Sequence, residues 1–259
     1  MSKYSRRRLI TTGLSVAGGA SGLGAETVRQ LARAGASVAI FDVNASAAHE
    51  VAAEVGGLVV PCDVSDAGAA EAALAQAREA HGPARILVNC AGIGGARRIV
   101  GREGPMPLAD FKRVVEINLF GTFNMLRLAA ADMSTLPPFA DGERGVIVST
   151  ASVAAYEGQI GQAAYSASKG GIVALTLPAA RELAQFGIRV MAIAPGLFGT
   201  PLLQNLPPEA QANLAASIPF PKRLGQADEF AGLVLHIVTN LSLNGEVIRL
   251  DGALRLPPR

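Results

Sequence analysis

Residues 14–42 read LSVAGGASGLGAETVRQLARAGASVAIFD. A short apolar run, Leu14 to Ala17, turns through Gly18, Gly19, Gly22 and Gly24 into a stretch of helical period, Leu23 to Ala34, and a second apolar run, Ser37 to Phe41, ends at Asp42. Strand, glycine-rich turn, helix and strand in that order form a βαβ unit. Such glycines let the backbone turn tightly and approach a pyrophosphate at the helix N-terminus, where unpaired N–H groups and the helix dipole favour anions. A glycine-rich turn is also used as a plain strand-to-helix link, so the second strand's end carries weight. Asp42 lies 18 residues beyond Gly24, where a carboxylate accepts from both adenosine-ribose hydroxyls and repels a 2′-phosphate. No Lys or Arg stands between Gly18 and Leu23 or between Asp42 and Gly57, and NAD is therefore expected over NADP.

The same alternation continues outward. Further apolar runs lie at Leu58 to Pro61, Ile86 to Asn89, Gly145 to Ser149, Ile188 to Ala194 and Glu246 to Leu250. Helical periods occupy Ala45 to Val55, Ala67 to His81, Leu108 to Met133, Gln162 to Phe186 and Ala227 to Val238. Seven strands with near-continuous apolar sequence, separated by six crossover helices, predict one α/β domain. It is a doubly wound, Rossmann-type parallel sheet covered on both faces. The domain is expected over residues 12–259, behind a basic tail of residues 1–11. The longest irregular stretch, about 196–225 with Pro201, Pro207, Pro208, Pro219 and Pro221, follows a strand's C-terminal end and reads as a lid over a site. Pro178, inside a helical period, predicts a kink or a break.

Composition excludes several classes of function. With 50% hydrophobic and 17% charged residues in 259 the chain is not disordered. Its 23 Lys and Arg against 21 Asp and Glu provide no uniform field for nucleic acid or an anionic membrane. No uncharged apolar run reaches the roughly 18 to 20 residues of a membrane span, so a soluble protein is expected. Cys62 and Cys90 are far apart and outside any CxxC pattern, and both read as reduced thiols. His49, His81 and His236 are dispersed, so no metal site is expected.

The N-terminus leaves alternatives open. Ser5-Arg6-Arg7-Arg8-Leu9-Ile10 resembles a twin-arginine export signal, and its acid-free, Arg-rich character a mitochondrial presequence. Cleavage beyond the uncharged stretch would remove the glycine turn, which disfavours export. The expectation is a cytoplasmic protein, with the mitochondrial matrix as the alternative.

Chemistry enters at Tyr165-Ser166-Ala167-Ser168-Lys169. Tyr165 and Lys169 stand at i and i+4 and share a helix face. A phenol titrates at about 10, and an adjacent ammonium with an oxidised nicotinamide nearby favours tyrosinate, a usable general base. Ser152, thirteen residues earlier and just past a strand end, is placed to steady a substrate alcohol or a developing oxyanion. Singly, each residue has an ordinary structural reading; together with the glycine turn and Asp42 they describe a dehydrogenase site.

The set AGGASGLG, Asp42, Asp63-Val64, Asn89-Cys90-Ala91-Gly92, Asn118, Ser152, Tyr165, Lys169 and Pro195-Gly196 resembles the short-chain dehydrogenase/reductase family over essentially residues 12–254. STASVAAYEGQIGQAAYSASKGGIV, IRVMAIAPGLFGTPLL and LNGEVIRLDGALR are similar to that family's type II 3-hydroxyacyl-CoA dehydrogenase branch. The resemblance implies NAD-dependent oxidation of short or branched 3-hydroxyacyl-CoA, with another alcohol or hydroxysteroid dehydrogenase and a catalytically silent NAD-binding scaffold as alternatives. It implies a homotetramer with residues 108–133 and 162–186 at one interface. By the same resemblance Gly18, Ser21, Gly22, Leu23 and Gly24 hold the cofactor with Asp42, and Asp63 and Val64 meet the adenine. Cys90, Ala91 and Gly92 pass under the adenosine ribose, and Pro195, Gly196, Phe198 and Thr200 complete the cofactor site, Thr200 at the carboxamide. Lys169 binds the nicotinamide ribose beside Tyr165, and Asn118 helps fix a proton-relay water. Gln159 and Gln162 are candidates for the acyl thioester, and Leu202, Leu203, Leu206 and Phe220 for the acyl chain. Arg97, Arg98 and Arg102 are either partners of the coenzyme A phosphates or a solvated basic loop.

Two departures from the family pattern stand out. Ala17 replaces the usual Thr before Gly18, and Thr12-Gly13-Leu14-Ser15 replaces an apolar first strand. Glycine weakens a strand interior, so a less stable first strand and altered cofactor affinity are expected.

Overall fold

The computed structural model describes residues 13–204 and 207–258; the basic tail of residues 1–11, with its possible address, lies outside them. In chain order the elements are β1 (Gly13–Ala17), α1 (Gly22–Arg33), β2 (Ser37–Asp42), α2 (Ala45–Val55), β3 (Leu58–Pro61), α3 (Ala67–His81) and β4 (Ala84–Asn89). A small hairpin follows, β5 (Val100–Gly101) and β6 (Gly104–Pro105), then α4 (Leu108–Val115), a π-helical turn (Glu116–Phe120), α5 (Gly121–Ser134) and β7 (Gly145–Thr150). The chain continues through α6 (Ala163–Leu183), β8 (Ile188–Pro195), α7 (Pro201–Gln204), α8 (Pro208–Ser217), α9 (Ala227–Thr239) and β9 (Val247–Leu250).

Seven strands form one parallel sheet in the order β3-β2-β1-β4-β7-β8-β9. One face buries Val28, Leu31, Phe230 and Val234 of α1 and α9 against Val16, Ile40 and Val88, and the other buries Leu74, Met125, Met133 and Ala179 against Phe41, Leu87 and Ile147. Strands covered on both faces are apolar at most positions, which is why regular alternation is absent from their sequences. The chain winds outward from β1 in one direction and then from β4 in the other. The loops after β1 and β4 therefore diverge and leave a crevice at the sheet's C-terminal edge.

The structure corrects four expectations. The first strand is not marginal: all five residues of β1 are buried and it pairs on both sides. Its register against β4 shifts between Gly13 and Leu14, and a Cβ on Gly13 would lie 3.2 Å from the Ala84 Cα, so this glycine serves a close approach at a bulge. The single helix expected over Leu108–Met133 is interrupted by the π turn, which places Asn118 fully inside the protein. At its end Gly121 packs on Val64, whose Cγ2 would be 2.5 Å from an added Cβ. At Pro178, where a kink or a break is expected, the break does not occur. Helix α6 runs unbroken through it because buried Ile172, Thr176, Ala179 and Ala180 hold both sides of the proline on the sheet, tertiary packing overriding local propensity. Finally, residues 196–225 are not an irregular loop but carry α7 and α8.

A buried ion pair closes the opposite end of the sheet. Arg189 at the start of β8 donates from Nε to Glu143 Oε1 at 2.8 Å, and its other nitrogens donate to the Leu243 and Val238 carbonyls at 2.8 and 3.2 Å. Both side chains are 8% exposed. Arg189→Met would leave a carboxylate without its guanidinium in the interior, a loss of about 3 to 5 kcal/mol; the shift of the urea unfolding midpoint checks this.

Candidate active site

The crevice is built by glycines. Gly18 has φ of +77° and donates its N–H to the Phe41 carbonyl at 2.8 Å. A Cβ there would meet Ala91 N at 2.4 Å, and one on Gly24 would meet Gly18 O at 2.0 Å, so the β1 and β4 loops touch with no side chain between them. Ser21 caps α1 in extended conformation without a side-chain capping bond, and the first turn has no acidic residue; this helix end is an anion acceptor made of backbone N–H groups. Leu23 is half-buried in that turn.

Asp42 ends β2 with its carboxylate fastened by the chain: Oδ2 accepts from Ala20 N at 3.0 Å and Oδ1 from Asn44 N at 2.9 Å. Carboxylate oxygens retain further acceptor capacity after one bond each. Asp63 Oδ1 accepts from Ser65 N and Oγ at 2.9 and 2.6 Å, closing a turn that carries Val64 inward, where its carbonyl accepts from Asn124 Nδ2 at 2.9 Å. The structure thus brings Val64 against α5, while one Asp63 oxygen serves its own loop.

Catalytic candidates converge one strand further along. Ser152 follows β7 and starts a 3₁₀ turn, its Oγ accepting from Ala154 N at 3.1 Å. Tyr165, in the first turn of α6, has its phenol close enough to this hydroxyl to be influenced by it. Burial raises the Tyr165 phenol above its ordinary value, and the Ser152 hydroxyl pulls it partly back. Lys169 is buried, donates from Nζ to the Thr150 carbonyl at 2.7 Å and stands 5.8 Å from the Tyr165 ring centre. Burial lowers its pKa to about 8. Cys90, beside this lysine, is raised to about 11 by burial even though Thr150 Oγ1 donates to its Sγ at 3.5 Å; Cys62 is likewise raised to about 11. Both are free thiols.

Asn118 is held from several sides. Its side-chain amide uses both donors and accepts once: Oδ1 accepts from Ile93 N at 2.8 Å and Nδ2 donates to Ile93 O and Ser168 Oγ, each at 3.0 Å. Its carbonyl accepts from Thr122 Oγ1 at 2.6 Å. Gly92 fits between this amide and the lysine, since a Cβ would lie 3.1 Å from Asn118 Oδ1 and 3.5 Å from Lys169 Nζ. Sequence reasoning missed Ile93, Ser168 and the Thr150 carbonyl as members of this cluster. Ser168 was open to detection as the polar residue just before Lys169; a backbone carbonyl has no signal in sequence.

The segment after β8 folds back over the glycine turn. A Cβ on Gly22, whose φ is +51°, would be 3.5 Å from Thr200 and 3.4 Å from Pro201. Phe198 pairs with Gly225 in an isolated parallel bridge, clasping the two ends of residues 199–224, and Gly196 at the end of β8 packs on Asp251. Gln159 and Gln162 are engaged within the chain: Gln159 Nε2 donates to Pro257 O at 3.1 Å and Gln162 Oε1 accepts from Gln159 N at 3.0 Å. Leu203 is half-buried and Phe220 exposed, Leu202 lies in α7, and Leu206 falls outside the described residues. Arg97 pairs with Asp110, whereas Arg98 and Arg102 are exposed on the hairpin loop. No metal-binding group of three or more His, Cys, Asp or Glu occurs among the described residues, nor any helix long and apolar enough to cross a membrane.

The profile of the family described as short chain dehydrogenase matches residues 14–211. The human 3-hydroxyacyl-CoA dehydrogenase type-2 is 52% identical over 247 residues, 94% of this chain and 95% of its own length. The crystal structure of 3-hydroxyacyl-CoA dehydrogenase type-2 from Mycobacterium avium superposes with a TM-score of 0.93 at 44% identity, covering 97% of this chain and 99% of that one. A 7α-hydroxysteroid dehydrogenase complexed with NADH and 7-oxo glycochenodeoxycholic acid superposes with a TM-score of 0.88 at 31% identity, covering 99% of each chain.

The buried lysine has a thermodynamic signature. Because its pKa falls from 10.5 to about 8 on folding, the unfolded chain binds more protons between those values, and its contribution to stability rises with pH across that window. The stability difference between the parent and Lys169→Met is therefore expected to move in the parent's favour from pH 8 to 10.5, measured by urea denaturation at each pH. Asn118→Ala would leave the Ile93 N–H and carbonyl unpaired, a destabilisation of about 1 to 3 kcal/mol by the same assay.

Proposed function

The chain belongs to the short chain dehydrogenase family, and from that premise we propose that it is an NAD-dependent oxidoreductase interconverting short or branched 3-hydroxyacyl-CoA and 3-ketoacyl-CoA. One observation carries the reading: Ser152 just past β7, Tyr165 on α6 and the buried Lys169 stand at the same sheet edge as the glycine crevice and Asp42. The name shared by relatives about half identical across nearly the whole chain supplies the substrate class.

The residues present fit the cofactor. Gly18 and Gly24 leave a side-chain-free cradle, the uncapped start of α1 faces it with N–H groups, and Asp42 is held where a ribose diol would bind and a 2′-phosphate would be repelled. NAD would be held there by Gly18, Ser21, Gly22, Leu23, Gly24 and Asp42, with Val64, Ala91, Gly92, Gly196 and Thr200 around it, and would supply the hydride acceptor. The chain's own residues manage the proton and the oxygen. Tyr165 Oη takes the hydroxyl proton in oxidation and returns it in reduction, Ser152 Oγ orients the substrate oxygen, and Lys169 holds positive charge beside the phenol. Asn118 sets the position of Ile93 and Ser168 around that lysine. Residues 196–225 act as the lid, Leu203 lies along the acyl chain, and Arg98 and Arg102 face the coenzyme A phosphates.

Exposed apolar residues on the outer helices, Leu108, Phe120, Phe123 and Leu177, support a homotetramer assembled through α4–α5 and α6. A cytoplasmic or mitochondrial-matrix location accords with a chemistry that needs NAD and coenzyme A thioesters. The structural likeness to the hydroxysteroid enzyme favours a second reading, a hydroxysteroid substrate, and the assay below separates the two.

With (S)-3-hydroxybutyryl-CoA and 3-hydroxy-2-methylbutyryl-CoA as substrates, NADH absorbance is expected to rise with NAD far faster than with NADP, and Tyr165→Phe to lose activity by about a thousandfold or more. A hydroxysteroid turned over at higher kcat/KM than either thioester would overturn the acyl-CoA assignment. Since burial keeps the Tyr165 phenol protonated at neutral pH, the oxidation rate is expected to climb as pH rises from 7 to 10 while ketone reduction falls; a pH–rate profile in both directions checks the sign.

A further inference from the structure

Arg249, near the end of β9, spends every guanidinium nitrogen on two segments, the loop at Glu157 and the stretch Asp251 to Leu254. Nη1 and Nη2 make a bidentate pair with Glu157 at 2.7 and 2.8 Å, Nε donates to Asp251 Oδ2 at 2.8 Å, and Nη2 also donates to Leu254 O at 3.1 Å. The guanidinium lies over the Tyr156 ring, 5.1 Å from its centre. Arg255 doubles the arrangement, donating to Asp251 Oδ2 at 3.1 Å and standing 3.5 Å from Glu157 Oε1. Planar bidentate pairing fixes direction as well as distance. The Arg249 hydrogen bonds, as the first cause, lower the Glu157 carboxyl from its ordinary value.

What these groups join is the wall of the site. Glu157 lies in the loop between Ser152 and Tyr165, and in that loop Gly158 sits so close to α6 that a Cβ would meet Ser166 Oγ at 2.2 Å. The chain beyond β9 runs along it: Ile160 N donates to Pro258 O at 3.0 Å and Gln159 Nε2 to Pro257 O. On its other side the same strap carries the lid. Phe220 N donates to Gly252 O at 3.3 Å, and Gly252, with φ of +59°, leaves room for Ile218 where a Cβ would be 2.7 Å from its Cγ2. Asp251 in turn packs on Gly196, where β8 gives way to the lid.

We propose that Arg249 is a positioning residue for the substrate pocket. Through Glu157 and Asp251 it clamps the strap of residues 251–258 between the loop 156–162 and the lid, and so sets the width of the pocket in front of Tyr165. The inference rests on the oxidoreductase reading above for the substrate on which it is measured. None of these side chains bonds the glycine turn or Asp42, so the clamp governs the substrate side and leaves the cofactor side alone.

Arg249→Met is expected to raise KM for (S)-3-hydroxybutyryl-CoA about tenfold or more with kcat changed by less than about threefold, the pattern of lost ground-state positioning. The Kd for NADH, from its fluorescence enhancement, is expected to stay within about twofold. Arg249→Lys, which keeps the charge but loses the fork, recovers only part of the KM, and adding Glu157→Gln to Arg249→Met produces no further rise, as expected for partners in one interaction. A chain ending at Leu254 keeps β9 and Arg249 whole and is expected to raise KM in the same direction, which covers the case in which Arg249→Met fails to fold. A KM unchanged in Arg249→Met and in the shortened chain, or a Kd for NADH rising in step with KM, would overturn the clamp as a pocket device. If the parent turns over a different alcohol and no acyl-CoA, the substrate reading fails while the same KM comparison on that alcohol still decides the clamp.

Discussion

Two loops of this protein meet at Gly18 with no room for a methyl group. The Cα of Gly18 faces Ala91 N so closely that an added Cβ would be 2.4 Å away, and Gly24 faces the Gly18 carbonyl more closely still. That approach lets the loops after β1 and β4 stay in contact although the sheet winds away from them in opposite directions. It leaves the start of α1 open to an anion, and it places Ala20 N where it fastens the Asp42 carboxylate. Any side chain at Gly18 would separate these features, because a positive φ disfavours it before the clash is counted.

From that junction the polar core of the site follows by hydrogen bonding. The β4 loop continues from Ala91 through Gly92 to Ile93, whose N–H and carbonyl are both held by the Asn118 amide. A regular α-helix through residues 108–133 would not need a wider turn; the π turn supplies one at Glu116–Phe120 and carries Asn118 into the interior. Such turns recur at functional sites because they re-aim one residue without ending the helix. Asn118 then meets Ser168, and the next residue, Lys169, reaches the Thr150 carbonyl. The lysine is buried at a cost that its lowered pKa records, and the phenol beside it is raised by the same burial. The two groups start close together, the ammonium at 10.5 and the phenol at 10.0, and opposite shifts from one cause move their proton affinities apart, so that the lysine gives up its proton more readily than the phenol.

The far side of the crevice is held by ions instead of close contact. Arg249, Glu157, Asp251 and Arg255 join a strand, a loop and the chain's last described residues, and partly buried charge networks with bidentate geometry hold position better than isolated surface pairs. One wall of the site thus depends on the absence of side chains and the other on charged ones. The first suits a cofactor that must approach backbone, the second a pocket whose dimensions matter.

Much of this was legible in the sequence. All seven strands were recognisable as apolar runs because a sheet covered on both faces tolerates little else, and the glycine turn, Asp42, Ser152, Tyr165 and Lys169 were visible because their chemistry depends on residue type at short spacings. What the sequence could not convey depends on neighbours distant along the chain. Gly13 looked like a weakness until Ala84 was found against it. Pro178 read as a kink or a break, yet its helix continues past it with buried residues on both sides, and Gln159, a candidate for the substrate, has its amide on Pro257. The sequence by itself determined the layers, the winding and the reactive groups, since periodicity and side-chain chemistry are local properties. Only the tertiary structure decided which backbone groups hold Asn118 and Lys169, where the helix widens, and which residues Arg249 ties together, because each depends on hydrogen bonds and close contacts between segments that adjoin only after folding.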